Sequence, residues 1–183
     1  MTNNTVFVTV GTTSFDALVR VIDSDACLEA LLRRGFRRVV IQLGTGTHVP
    51  ARDAYAGEGA GGGRIAIEHF RHSPSLAQHI ADAGLVISHG GAGTIMEVLR
   101  ARTPLVAVIN GKLMGNHQAE LGGELAARGH LICTTPKKLV SALQSADDLA
   151  SLLPWPDADE DAFGRLCDEE MGFAGAPARP HDE

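Results

Sequence analysis

Aromatic side chains are scarce. Six Phe, one Trp and one Tyr make up 4% of 183 residues, so a core must be built from aliphatic chains. Cysteine is scarcer still. Cys27, Cys133 and Cys167 form no CxxC pair and are odd in number, which argues against a disulfide framework or a zinc knuckle and for a reducing compartment. No apolar run approaches the roughly 18 residues of a membrane span, so no direct span is expected. No basic, apolar leader opens the chain, so secretion is not expected, and the sequon Asn3-Asn4-Thr5 carries no weight. A basic surplus is also missing. Sixteen Lys and Arg face 22 Asp and Glu, for a net charge of −6. Nine of those acids and only two bases lie in residues 154–183, which leaves the main body near neutrality. A general nucleic-acid binder needs the opposite balance, and none is expected here.

Standard catalytic signatures are absent too. No Gly-Lys-Ser/Thr run closes a Walker A loop. Gly11-Thr-Thr-Ser is not a dinucleotide fingerprint, and Gly91-Ala-Gly93-Thr-Ile-Met96 lacks the third glycine. GxSxG and HExxH do not occur, so neither a nucleophile elbow nor a metal is expected. His48, His69, His79 and His130 stand alone in sequence and read as structural or exposed.

What is present is order. Hydrophobic residues make up 44% and charged residues 21%, an ordinary globular balance for one domain with an appendage. Short β-branched runs at 5–10, 38–43, 64–70, 85–88, 105–109 and 131–133 read as buried strands. Between them lie amphipathic stretches: about 15–34 (interrupted near Asp23–Asp25), Ser73 to Ala83 with Pro74 at the first helical position, 94–102, and a helix ending near Gly129. Thr135-Pro136 opens one more. This alternation predicts an α/β, doubly wound, mainly parallel, Rossmann-like sheet. Residues 1–153 form the expected domain, with a Gly-rich insertion at about 51–63 that reads either as a solvated loop or as a lid. Residues 154–183 form an acidic appendage, a helix over Asp157–Met171 and then a disordered tail.

In such sheets ligands sit at the carboxyl ends of the strands. Four polar or glycine-rich loops fall there: Gly11-Thr12-Thr13, Phe70-Arg71-His72, His89-Gly90-Gly91-Ala92-Gly93-Thr94, and Asn110 to Gln118. The third is the sharpest. Three glycines before a helix let a phosphate or diphosphate reach free N–H groups at the positive end of the helix dipole; equally, glycine serves a tight turn that needs φ > 0. Glu97, one turn into that helix, can accept hydrogen bonds from a sugar diol or simply face solvent. Asn116, His117 and Gln118 offer donors to a hexose or diphosphate, or form a plain helix cap.

Three runs taken in order carry a resemblance: Val8-Thr-Val-Gly-Thr-Thr-Ser-Phe-Asp16, Ile87-Ser-His-Gly-Gly-Ala-Gly-Thr-Ile-Met-Glu97, and Val108-Ile-Asn-Gly-Lys-Leu-Met-Gly-Asn-His-Gln118. Over roughly residues 5–145 the chain resembles the catalytic subunits of eukaryotic UDP-N-acetylglucosamine transferases. These are similar to the C-terminal, donor-binding half of family 28 glycosyltransferases of the GT-B type. The resemblance implies UDP-GlcNAc as donor, a dolichol-diphosphate-GlcNAc acceptor, inversion at the sugar, and no metal or other cofactor. It implies that the Gly90–Thr94 loop, with His89 at its edge, holds the diphosphate and Glu97 the ribose. Asn116, His117 and Gln118 would face the sugar and diphosphate. The backbone near Phe70 and Arg71 would meet the uracil, and Gly11, Thr12 and Thr13 would line the cleft. Gly91 replaces the alanine more usual in that loop.

The resemblance further implies a membrane-anchored partner that supplies the acceptor half and recruits a cytoplasmic chain to the cytosolic face of the endoplasmic reticulum. The catalytic base is expected from that partner, with His117 and His89 as the candidates within this chain. Phe163 and Leu166 of the tail would dock on the partner or fold back on the domain. Two other readings stay open: a non-catalytic nucleotide-sugar-binding or scaffold module, and a nucleotide-dependent oxidoreductase, which the missing fingerprint disfavours.

Overall fold

A computed structural model describes residues 3–57, 63–110, 117–145 and 149–157. The tail helix proposed over Asp157–Met171 lies, apart from Asp157, outside the described residues, as do Phe163 and Leu166. The strands are β1 (Thr5–Thr9), β2 (Arg38–Gln42), β3 (Ala54–Ala56), β4 (Arg64–Phe70), β5 (Leu85–Ser88), β6 (Leu105–Val108) and β7 (Ile132–Thr134). The helices are α1 (Asp16–Ile22), α2 (Asp25–Arg33), α3 (Ala77–Ala81), α4 (Ala92–Arg100), α5 (His117–Ala127) and α6 (Leu139–Gln144). The seven strands form one sheet in the order β3-β4-β2-β1-β5-β6-β7. Every described pairing is parallel except β3 with β4.

The sheet is wound on both faces, as the alternation predicts. Odd and even residues of each central strand part company, because side chains alternate across a strand. Val6 and Val8 of β1 point into a cluster with Leu18, Ile22, Leu28 and Leu31 of α1 and α2 and with Leu139 and Leu143 of α6. Phe7 points the other way, toward Ile80, Ile95, Val98 and Leu125 of α3, α4 and α5. Every residue of β1 is buried. Each fully buried leucine or isoleucine contributes roughly 1.5–3 kcal/mol, so two aliphatic layers replace the missing aromatics.

Three local expectations are corrected and one is met. The insertion at about 51–63 is not loop throughout: Ala54–Ala56 adds an antiparallel edge strand to β4, a pairing too short to leave an alternation in sequence. The interruption expected near Asp23–Asp25 is present: α1 and α2 are divided at Ser24, whose Oγ accepts from the Cys27 N–H. The helix expected from Ser73-Pro74 begins only at Ala77. There Ser75 Oγ accepts from the Ala77 N–H while Ser73 donates to the Ser75 carbonyl. Pro136 opens a 3-10 turn, Pro136–Lys138, that runs into α6.

Buried polar side chains are few, and three of them stand at the carboxyl ends of adjacent strands: Gln42, Thr9 and Ser88. Thr9 Oγ1 donates to Gln42 Oε1 at 2.5 Å and accepts from the Gly11 N–H at 3.0 Å. Ser88 Oγ accepts from the Gly90 N–H at 3.2 Å. Each hydroxyl thus ties the backbone of the loop that follows its own strand. Thr9→Val removes the hydroxyl that both Gln42 and Gly11 use. It is expected to cost about 1–3 kcal/mol, read as a lower urea midpoint with an unchanged slope.

Candidate functional site

The chain reverses its direction of strand addition between β1 and β5, and a crevice is expected outside that point. A cleft of about 720 Å3 lies there. One wall is the loop after β1 and the start of α4. The other is the 73–77 segment with Ile80 of α3, and Gln42 also reaches the lining.

The start of α4 leaves backbone donors open to the cleft. Gly91 is the N-cap, extended at φ −67° and ψ 132°, and no side chain caps the helix. Ile95 closes the first intrahelical bond onto the Gly91 carbonyl. The amides of Ala92, Gly93 and Thr94 therefore have no intrahelical acceptor, and all three residues line the cleft. Gly90 makes the turn possible at φ +79°, and a methyl there would press on Ile109 at 2.8 Å.

His89 sits between two glycines. A methyl on Gly91 would come within 2.5 Å of its Nε2, and one on Gly11 within 2.8 Å of its Cε1. The ring fills the space those side chains would take. Its Nδ1 is buried and has no hydrogen-bond partner among the described residues. Burial pushes the imidazole below its ordinary range, and a contact with the Thr9 backbone only partly opposes this. The neutral ring is the form that suits a site beside the positive end of a helix.

The structure brings together eight of the residues singled out from the sequence: Gly11, Thr12, His89, Gly91, Ala92, Gly93, Thr94 and Glu97. Glu97 is exposed, and among the described residues its carboxylate has no ion-pair or hydrogen-bond partner. Other candidates stand apart. Gly90 is buried behind the loop, as its contact with Ile109 requires. Thr13 turns its hydroxyl onto the Val10 carbonyl. The Phe70 ring belongs to a stack with Phe7 and His79, at 6.4 and 4.8 Å between centroids, and its carbonyl accepts from the Leu43 N–H. Arg71 donates to the carbonyls of Gly46 and Gly44, so it holds the loop after β2. Gln118 lies in the first turn of α5, off the cleft lining. Asn116 lies outside the described residues, as does the side chain of His117.

Sequence reasoning missed Gln42, the 73–77 wall and Arg100. Gln42 carries a faint signal, a polar residue closing an apolar strand. Arg100 stands three residues beyond Glu97, a spacing that makes the two neighbours on a helix surface. The 73–77 wall carries none, because Ser73-Pro74 imitates a helix start. Among the described residues no group of three His, Cys, Asp or Glu side chains could hold a metal, and no helix is long and apolar enough to cross a membrane.

Residues 5–153 match the Glycosyltransferase family 28 C-terminal domain. The chain is 40% identical over 156 residues to the human UDP-N-acetylglucosamine transferase subunit ALG13, covering 80% of this chain and 13% of the human protein. It therefore spans about an eighth of that relative's length. The subunit of the same name from Yarrowia lipolytica is 31% identical, over 90% of this chain and 83% of its own length. An NMR solution structure of ALG13 superposes with a TM-score of 0.63 at 25% identity, covering 90% of this chain and 94% of its own. MurG of Acinetobacter baumannii shares the fold, with a TM-score of 0.59 at 18% identity over 92% of this chain and 50% of its own.

The lowered pKa of His89 has a consequence for stability. The folded chain binds fewer protons than the unfolded one from about pH 6.5, the ordinary histidine value, down to the depressed one. The stability due to the neutral ring is therefore complete above about 6.5 and is lost as pH falls through that window. His89→Gln is expected to flatten the fall in urea midpoint between pH 7 and pH 5. An unchanged profile would show that the ring does not titrate differently on folding.

Proposed function

The chain belongs to the glycosyltransferase family 28 C-terminal domain family, and from that premise we propose that it is the donor-binding catalytic subunit of an inverting N-acetylglucosaminyltransferase using UDP-GlcNAc. One observation carries the reading: the uncapped start of α4 opens into the same cleft as the unpartnered Glu97. An anion at the amides of Ala92, Gly93 and Thr94 and a diol at Glu97, one turn on, match the diphosphate and ribose of a nucleotide sugar. Gly11 and Thr12 close the cleft on the side of β1.

In the reaction an acceptor hydroxyl attacks the anomeric carbon of GlcNAc, and the bond from that carbon to the UDP oxygen breaks. The configuration inverts. Charge that develops on the leaving diphosphate falls on the α4 amides, fixed dipoles that need no reorganisation. The hydroxyl proton passes to a base that we assign to a partner. His89 is a poor candidate, because its ring is wedged between Gly11 and Gly91.

We assign the acceptor as dolichol-diphosphate-GlcNAc. The partner is a membrane-anchored subunit carrying the acceptor half and bringing this chain to the cytosolic face of the endoplasmic reticulum. The human and Yarrowia lipolytica relatives are each named as a transferase subunit, which supports a partner. No cofactor is assigned beyond the donor itself.

The test is transfer of labelled GlcNAc to a dolichol-diphosphate-GlcNAc analogue by this chain co-expressed with its acceptor-half subunit. Activity is expected only with both chains. Glu97→Ala should fold normally, since the side chain is exposed, and should weaken donor binding about tenfold or more, the usual loss for a charged hydrogen bond. An assembled complex that binds UDP-GlcNAc yet transfers nothing would make the chain a nucleotide-sugar-binding module.

A further inference from the structure

We propose that Arg100 reads the nucleobase of the bound nucleotide, donating its guanidinium N–H groups to a base carbonyl while Ala77 and Ile80 support the ring. The proposal rests on the nucleotide-sugar reading above and places the base along α4, away from Phe70.

The order of groups along the cleft makes the argument. Gly91, Thr94, Glu97 and Arg100 all line it, three residues apart on α4. At 1.5 Å of rise per residue, Glu97 stands about 9 Å and Arg100 about 13 Å beyond Gly91 along the helix axis. A nucleoside diphosphate presents its parts in the same order: diphosphate, ribose, base. With the diphosphate at the helix start and the ribose diol at Glu97, the next turn meets the base. Leu76, Ala77 and the buried Ile80 add apolar lining to the same cleft, a surface suited to the face of a planar ring.

Arg100 is free to act there. Most of the described arginines have partners: Arg33 with Glu29, Arg38 with Glu68, Arg52 with Asp25, Arg102 with Asp157, Arg128 with Glu124, and Arg34, Arg37 and Arg71 with backbone carbonyls. Arg100 is exposed and has none among the described residues, not even Glu97 three positions away. A guanidinium only donates hydrogen bonds. Uracil offers two carbonyl acceptors, whereas the exposed ring-nitrogen acceptors N1 and N7 of adenine flank an N6 amino donor that a guanidinium cannot pair with. The fork of Arg100 therefore favours a uridine nucleotide over an adenosine one. Arg100 also stands in the last turn of α4, where any cation suits the helix dipole. That structural role would be met equally by lysine, which lacks the planar fork.

The test is titration of the full chain with UDP and ADP, followed by NMR shifts up to millimolar ligand, for the wild type, Arg100→Ala, Arg100→Lys and Glu97→Gln. The wild type is expected to prefer UDP. Arg100→Ala should weaken UDP about tenfold or more and leave ADP unchanged, which collapses the preference. Arg100→Lys should keep the melting temperature and lose most of the preference. Glu97→Gln should weaken both nucleotides alike, since both carry the ribose diol. Unchanged UDP binding in Arg100→Ala, or an equal loss for UDP and ADP, overturns the assignment to the base. If the wild type binds neither nucleotide, the nucleotide-sugar reading itself falls and this one with it.

Discussion

The site depends on a small set of hydrogen bonds at the ends of three neighbouring strands. Thr9, Gln42 and Ser88 are polar side chains buried where an aliphatic core meets the loops. A buried hydroxyl or amide is costly unless paired, so each is held to one geometry. Two of those pairings fix loop amides, Gly11 through Thr9 and Gly90 through Ser88. The sheet ends therefore dictate where the glycine-rich backbone stands, and the cleft takes its shape from that backbone.

His89 shows the same economy. Gly11 and Gly91 approach its ring so closely that a methyl on either would collide with it. The ring couples the loop after β1 to the loop after β5, across the reversal in strand order. Its burial keeps the imidazole toward the neutral form, so no fixed positive charge crowds the open amides of α4. The start of α4 is left to dipoles and backbone, while the longer side chains of the same helix, Glu97 and Arg100, reach the cleft one and two turns further on.

The loop after β2 is a support for this arrangement. Arg71 holds the carbonyls of Gly44 and Gly46, and Asp16 accepts from the Thr47 amide and hydroxyl. The Thr47 bond is the main reason the Asp16 carboxyl is held below its usual range. A methyl on Gly44, at φ +55°, would meet the Thr13 carbonyl at 2.3 Å. Residues that look available for a ligand in sequence, Arg71 and Thr13 among them, are used to hold the loops in place.

The sequence by itself determined the succession of strands and helices and the doubly wound class of the sheet. Strands buried on both faces must be continuous β-branched runs, and those runs are local. It also determined the glycine-rich turn into α4, because glycines clustered at a helix start are a local fact of backbone freedom. The tertiary structure alone decided which polar residues face the cleft. Nothing local distinguishes Arg71, turned onto loop carbonyls, from Arg100, left free on α4. Nor does Ser73-Pro74 reveal that its helix waits for Ala77 and that the segment before it becomes a wall. Those outcomes depend on which chain segments meet across the sheet, and such contacts join residues far apart in sequence. The edge strand Ala54–Ala56 belongs with them: three residues carry no readable period, and only the exposed edge of β4 made them a strand.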